Sequence, residues 1–425
     1  MKRKVMATLL MAGLIGHSQP GWTEDDEGVR KPPTRQTQSI SAGVFKDLDV
    51  AQQAFDAKDY AGALVALDRV RAREDQINDY ERATLHNLYA VIHYAEARTD
   101  KAIEHYLLVL QQPNLPEGLR DATLFALAQM YFVTEDYPRA VQVLNKWFSL
   151  TADPAPDAYM LLAQAYYQQQ RYADAETPIL TGLKRARDKG VELRENWLGL
   201  LRAVYYELDE IPKAAKVLEI LVTRFPSESY YLQLSGMYGL MGNQTAQMAT
   251  LHAAYLGGML SKASDQLNLA RLYLVEGAPF PAIQLLSTGF RDQRIEVDAD
   301  NLQLYAQALS FAREYEAQVP VLKKLAGMTN EAEHYLYLGQ ALNELGRWDE
   351  AIEAFEGALN GEALDDIAAV RMQLGTAQFN AGQLRAALRT FISLQNDDAI
   401  GTAAANWVKF VSAEIERQKV LDSTG

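Results

Sequence analysis

The chain has 425 residues, with 41 lysines and arginines, 55 aspartates and glutamates, and no cysteine. The absence of cysteine excludes disulfides, thiol catalysis, iron–sulfur clusters and cysteine-ligated zinc. The net charge of −14 argues against nucleic acid as a partner, because binding a phosphate backbone requires a basic surface.

The first residues have the pattern of a secretory signal peptide. Residues 2–4 are basic, and residues 5–15 form an uncharged, mostly apolar run of 11 residues, whereas a transmembrane helix needs ~20. Small residues at Gly16 and Ser18 permit cleavage. We therefore expect residues 1–18 to be removed and the mature protein to be periplasmic, without a membrane-spanning segment. The alternative is an uncleaved N-terminal anchor.

Residues 19–43 show no apolar periodicity. An acidic cluster at 24–27 is followed by Pro32 and Pro33 and a stretch rich in Gln, Ser and Thr. A segment that has nothing to bury cannot offset its loss of conformational entropy. We expect a disordered tether.

From residue 44 onward one pattern repeats, and residues 335–358 show it most clearly. A small residue, Gly339, is followed seven residues later by Gly346, then by Ala351 and the large apolar Phe355. These spacings predict two amphipathic helices joined by a tight turn. The small residues allow the two helix backbones to approach closely.

This pattern resembles the tetratricopeptide repeat (TPR), which has a small residue at position 8, alanine at position 20 and a large apolar residue at position 24. Ten copies follow one another at a mean spacing of about 36 residues, against about 34 in the family. Position 8 falls on Ala51, Ala90, Ala128, Ala163, Arg202, Ser235, Ala270, Ala306, Gly339 and Gly375. Departures occur at Arg202 and, at position 20, at Gln247 and Gln318.

The resemblance implies an all-α fold. We expect a right-handed α-solenoid of about ten TPR-like helix pairs over residues 44–401, because each repeat can bury its apolar face only against its neighbours. Residues 402–425 would form a capping helix and tail, with Trp407 and Phe410 on the helix. No change in composition marks a second domain.

No catalytic motif is present, and we expect no enzymatic activity, cofactor or metal. Three of the six histidines, His86, His93 and His105, fall in the second copy. His86 and His93 are seven residues apart and share one helix face, so a metal site is one interpretation of this spacing. They occupy positions 4 and 11, where the family packs aromatic residues, and core packing explains them better.

The candidate binding site is the groove that the first helices of TPR repeats line, through positions 2, 5, 9 and 12. In the first five copies position 12 is always aromatic, and positions 5 and 9 add amides, one phenylalanine and one methionine. The predicted groove residues are Phe55, Asn87, Tyr94, Phe125, Gln129, Phe132, Met160, Gln164, Tyr167 and Tyr206. Such a row suits an extended peptide, since aromatic grooves bind polyproline II segments. The alternative is that these rings only pack against the neighbouring repeat.

Four stretches resemble a narrower family: exported TPR proteins that accompany TonB–ExbB–ExbD energy-transduction systems of Gram-negative bacteria. The stretches are residues 123–148, 195–208, 230–242 and 404–417. The resemblance implies a non-enzymatic periplasmic scaffold that assists TonB-dependent uptake, such as iron–siderophore import. Its partner would be a protein or extended peptide, such as the proline-rich periplasmic part of a TonB-type protein. The alternative is a glycan- or peptidoglycan-associated binding module in cell-envelope assembly.

Overall fold

The computed structural model describes residues 39–361 and 364–424, with side chains to residue 421. The predicted signal peptide, residues 1–18, and most of the predicted tether lie outside these residues. Within the described part every regular element is helical: 21 α-helices and one short 3-10 helix, Glu74–Gln76. The all-α prediction is confirmed.

Twenty of the α-helices form ten consecutive pairs, as the repeat pattern predicts. The pairs are α1 (Ala42–Asp56) with α2 (Tyr60–Arg71), α3 (Asp79–Ala95) with α4 (Thr99–Gln111), α5 (Glu117–Val133) with α6 (Tyr137–Leu150), α7 (Pro156–Gln168) with α8 (Tyr172–Asp188), α9 (Glu195–Glu207) with α10 (Ile211–Arg224), α11 (Glu228–Leu240) with α12 (Gln244–Leu256), α13 (Ala263–Val275) with α14 (Pro279–Arg291), α15 (Ala299–Phe311) with α16 (Tyr315–Thr329), α17 (Ala332–Glu344) with α18 (Trp348–Asn360), and α19 (Ile367–Asn380) with α20 (Leu384–Ile392). A last helix, α21 (Gly401–Thr424), follows them.

The small residue at position 8 is a packing requirement. A Cβ atom added to Gly339 would lie 2.6 Å from two ring carbons of Phe355, and Phe355 is fully buried. Gly375 stands in the same relation to Phe391, also at 2.6 Å. The ring at position 24 therefore occupies the space above the backbone of the first helix. Ala351, at position 20, is fully buried as well.

The turn inside each pair contains a residue with a positive φ, which the sequence pattern does not predict. Position 15 has a positive φ in all ten pairs, yet it is glycine in only four of them: Gly242, Gly277, Gly346 and Gly382. Six pairs place a residue with a side chain there: Lys58, Ala97, Glu135, Gln170, Asp209 and Arg313. The left-handed conformation costs such a residue roughly 1–2 kcal/mol, so packing of the two helices holds these turns.

The described chain begins before the predicted end of the tether. Helix α1 starts at Ala42, and the backbone N–H of Ser41 donates to Glu81 Oε1 at 2.7 Å. Glu81 is buried and also accepts from the backbone N–H of Asn78, at 2.9 Å, in a capping box. This carboxylate joins the start of α1 to the start of α3.

The chain divides into two compact units, Met1–Val217 and Leu218–Gly425, called unit 1 and unit 2 below. The boundary falls inside α10, and nothing in the sequence marks it. In unit 2, α21 packs on α20: the rings of Trp407 and Phe391 stack with centroids 5.1 Å apart. This helix reaches Thr424, beyond the stretch from 404 to 417 that the sequence pattern singles out.

Candidate functional site

The aromatic residues at position 12 lie at the end of the first helix of each repeat. In three repeats the residue five positions later, at the start of the second helix, is a tyrosine, and the two rings meet across the turn. The ring centroids are 5.7 Å apart for Phe55 and Tyr60, 5.3 Å for Phe132 and Tyr137, and 5.2 Å for Tyr167 and Tyr172. These distances are typical of attractive aromatic pairs. We call the three pairs the aromatic row.

The sequence interpretation missed the tyrosines of the aromatic row. Each of them supports a position-12 ring from its own repeat, whereas the packing alternative placed the support in the neighbouring repeat. The signal was available: an aromatic residue follows position 12 after five residues in the first, third and fourth copies. The position-12 rings of these three repeats are half-buried, so each keeps part of its surface open.

The other two position-12 residues differ from this arrangement. Tyr94 is half-buried, and its repeat has Thr99 at the place where the three repeats of the aromatic row have a tyrosine. Tyr206 is 51% exposed, and Ile211 occupies the corresponding place. Of the five position-12 rings, three are therefore paired with a tyrosine of their own repeat, Tyr94 is half-buried in a repeat that has threonine there instead, and Tyr206 is largely exposed.

The amides of the predicted groove are partly exposed, whereas one apolar member, Met160, is buried. Asn87, Gln129 and Gln164 are half-buried. Met160 is 3% exposed, and its Cε would be 2.8 Å from a Cβ on Gly182, so it packs against α8. Phe125 is half-buried, with its ring centroid 5.1 Å from that of Trp147. Met160 is therefore a packing residue and not a groove residue, whereas Phe125 keeps part of its surface open.

The phenol of Tyr167 stays protonated at neutral pH. Burial raises its pKa above the usual value, and the negative charge of Glu207 raises it further. A neutral phenol can donate a hydrogen bond. Tyr167 therefore combines an aromatic face with a donor, which suits the carbonyl groups of an extended peptide.

A second concave feature lies in unit 2 and was not predicted. It is a cavity of about 330 Å³. Its lining is rich in amides and tyrosines: Ser310, Tyr315, Gln318, Tyr337, Gln340, Ala341, Asn343, Glu344 and Gln373. Asn343 Oδ1 is buried there without a hydrogen-bond partner in the described protein. We call it the amide pocket; its sequence signal was Gln340 at position 9 beside Ser310 and Asn343 at position 12.

The three histidines of the second repeat are buried, as core packing predicts. His86, His93 and His105 are 4%, 6% and 8% exposed. Among the described residues, no group of three or more His, Asp or Glu side chains has a geometry that could hold a metal ion. Across those same residues, no helix combines the length and apolar character needed to cross a membrane.

Comparison with protein families identifies the repeats. A tetratricopeptide repeat model matches residues 48–116 and residues 304–366. Both stretches are similar to tetratricopeptide repeats. A second model, described as anaphase-promoting complex, cyclosome, subunit 3, matches residues 109–181. TPR arrays present extended concave binding surfaces, and this supports a scaffold role in protein–protein interaction. No curated protein sequence matches the chain.

Several solved structures share local similarity with the chain. A TPR protein from Parabacteroides merdae is 14% identical over 63% of this chain and 100% of its own, with a TM-score of 0.38. The TPR2AB domain of yeast Sti1, in a complex with pHSP90, is 13% identical over 69% and 99%, with a TM-score of 0.29. YrrB, described as a TPR protein with an unusual peptide-binding site, is 16% identical over 45% and 100%, with a TM-score of 0.35. Similarity at this level carries no argument about what this chain binds.

Proposed function

We propose that the protein is a non-enzymatic periplasmic scaffold that assists a TonB-dependent uptake system. In this role it binds a proline-rich, extended segment of a partner protein. The observation that carries the proposal is the aromatic row in unit 1, where an aromatic pair recurs at the same place in the first, third and fourth helix pairs. The periplasmic location rests on the sequence of residues 1–18, and the TonB association rests on the family resemblance.

The aromatic row suits a polyproline II segment for two physical reasons. Such a segment is already extended and loses little entropy on binding, and proline rings pack on aromatic faces without needing charge pairs. The tyrosines at the start of the second helices hold the position-12 rings in place, so the surface is organised before the ligand arrives. The half-buried amides Gln129 and Gln164 can hydrogen-bond a peptide backbone.

Calorimetric titration of the full mature chain with a synthetic peptide tests this proposal. The peptide is rich in proline and lysine, and its control carries alanine in place of every proline. We expect saturable binding of the first peptide only, and weaker binding at higher salt because the protein carries a net charge of −14. Equal binding of both peptides, or none of either, would contradict the proposal.

Export is tested separately. We expect the exported protein to have lost residues 1–18 and to appear in the periplasmic fraction, because the basic start and short apolar run are typical of a cleaved signal. Intact-mass spectrometry of fractionated cells measures both properties. A full-length mass in the membrane fraction would show instead that the N-terminus is an anchor.

The amide pocket favours a second candidate, a glycan-binding module in the cell envelope. Amide groups and tyrosine hydroxyls can bond the hydroxyl groups of a sugar ring, and a volume of about 330 Å³ has the size of a small-ligand site. Titration with peptidoglycan fragments would separate the two candidates. Binding of a fragment that is abolished by Asn343→Ala, but unchanged by substitutions in the aromatic row, would favour the glycan module. Absence of binding would reject it.

A further inference from the structure

The second helix pair, α3 and α4, encloses a cluster of ionisable rings in its core. His86, Tyr89 and His93 lie on one face of α3, and His105 faces them from α4. The rings of Tyr89 and His105 stack with centroids 4.7 Å apart, and His93 lies 5.4 Å from His105. The proposed binding surface does not use these rings, and apolar side chains would fill the same space without the free-energy cost of burying polar nitrogens.

The two central histidines are in direct contact. His86 Nδ1 and His105 Nδ1 are 3.1 Å apart, and His86 Nε2 lies 3.0 Å from Glu74 Oε1. A contact between two imidazole nitrogens requires one N–H and one lone pair. If both rings were protonated, two N–H groups and two positive charges would face each other. The contact therefore allows only one of the two rings to be in the doubly protonated, positively charged form.

The carboxylates around the cluster favour a proton on His86 or His93 over a proton on His105. Glu74 lies against His86, and Glu96 Oε2 is 3.4 Å from His93 Nδ1. Both His93 Nδ1 and Glu96 Oε2 are buried without a hydrogen bond. The charged groups that face the rings are Asp68 and Arg71 from α2, Glu74 from the 3-10 helix, Arg82 from α3, Glu96 and Arg98 from the turn, and Lys101 from α4.

We propose that the α3–α4 pair is an acid-sensitive element. A second proton in the cluster of His86, His93 and His105 forces the histidine-bearing faces of α3 and α4 apart, and this loosens the second repeat while other repeats stay folded. Asn87 and Tyr94 lie on α3, so acidification would also disturb that part of the predicted groove. Only this last consequence rests on the proposed function.

The titration of the cluster supports the geometry. Burial lowers the pKa of all three histidines, and the charges of His86 and His93 help to lower the pKa of His105 to about 4. An unfolded histidine has a pKa of about 6.5, so the unfolded segment takes up protons first as the pH falls. The contribution of neutral His105 to stability is therefore complete above pH 6.5 and is lost as the pH falls from 6.5 to about 4.

Hydrogen exchange on the full mature chain, without any ligand, tests this inference. Protection factors, corrected for intrinsic exchange, are compared at pH 7.5 and pH 5.0. A histidine with a pKa of about 6.5 in the unfolded state and about 4 in the folded state, as for His105, would lower the protection of residues 79–111 at pH 5.0 about 10–30-fold. Helices α19 and α20, which contain no histidine, should change less than about twofold, because surface carboxylates titrate mainly below pH 5. An equal change in both regions, or none in either, would overturn the proposal.

Two variants sharpen the test. His105→Phe keeps a ring to stack on Tyr89 but takes up no proton, so the loss of protection at pH 5.0 should disappear. His334→Gln changes a histidine outside the cluster and is the control: residues 79–111 should lose protection at pH 5.0 as they do in the wild type. If His105→Phe does not fold, an NMR titration of the wild-type histidine rings decides: His105 should remain neutral at pH 5.0 in the folded chain. A wild-type response in His105→Phe, or titration of every ring near 6.5, would overturn the proposal.

Discussion

Phe355→Ala should lower the free energy of unfolding of unit 2 by about 3–5 kcal/mol, the usual cost of removing a buried phenylalanine. Phe355 is fully buried, and its ring lies directly over the backbone at Gly339. The cavity left behind has little chance to collapse, because the two helices already approach as closely as Gly339 and Ala351 allow. Urea denaturation of the full chain, followed by helix circular dichroism, measures the effect.

Matched variants distinguish a packing effect from a general effect of substitution. Phe280→Ala removes a ring that is 61% exposed in the same unit and should change stability by less than about 0.5 kcal/mol. Ala351→Leu adds volume at the same contact and should cost about 1–3 kcal/mol. Equal midpoints for Phe355→Ala and Phe280→Ala would mean that the assigned repeat register is wrong.

The helix pairs could be predicted because their packing depends on residue size at fixed spacing. Gly339, Ala351 and Phe355 define one close contact, and Gly375, Ala387 and Phe391 define the next in the same positions. A period of this kind is visible in a single sequence. Even the two departures at position 20 kept their helices: Gln318 is buried and donates to the carbonyl of Ala306 at 3.1 Å.

Features that depend on contacts across the chain were not visible. The left-handed residues at Lys58 and Ala97 have no sequence signal, since neither residue favours a positive φ. The division of the chain inside α10 leaves the repeat spacing unchanged. The histidine cluster shows the same limit: positions 4 and 11 predicted burial of His86 and His93, but the contact with His105 requires the packing of α4 on α3.

The candidate site was predicted only in part for a similar reason. The rule that positions 5, 9 and 12 of a first helix face the groove does not tell how deep each side chain lies. At position 5, Met160 is buried against the second helix of its own repeat, whereas Phe125 is only half-buried. Gln129 and Gln164 at position 9 are half-buried as well. Side-chain length and the size of the facing residue, such as Gly182 opposite Met160, decide the outcome.

The double substitution Phe132→Ala with Tyr167→Ala should weaken binding of the proline-rich peptide by about 2–4 kcal/mol, if these rings act as anchors of the interface. Each ring also contacts a tyrosine of its own repeat, and such a contact contributes ~0.5–1.5 kcal/mol to stability. Some loss of stability is therefore expected in unit 1, so thermal unfolding must be measured beside the calorimetric titration. The control, Phe280→Ala with Phe311→Ala, removes two exposed rings from unit 2 and should bind as wild type.

A milder pair of substitutions separates binding from folding. Phe132→Leu with Tyr167→Leu keeps apolar volume beside Tyr137 and Tyr172 but removes the flat faces on which proline rings pack. If the rings are anchors, this variant should fold like wild type and still lose most of the affinity. Wild-type affinity in both folded double variants would refute the aromatic row as a binding surface. Unfolding of the alanine variant, together with wild-type affinity of the leucine variant, would show that the rings serve only to join the two helices of each repeat.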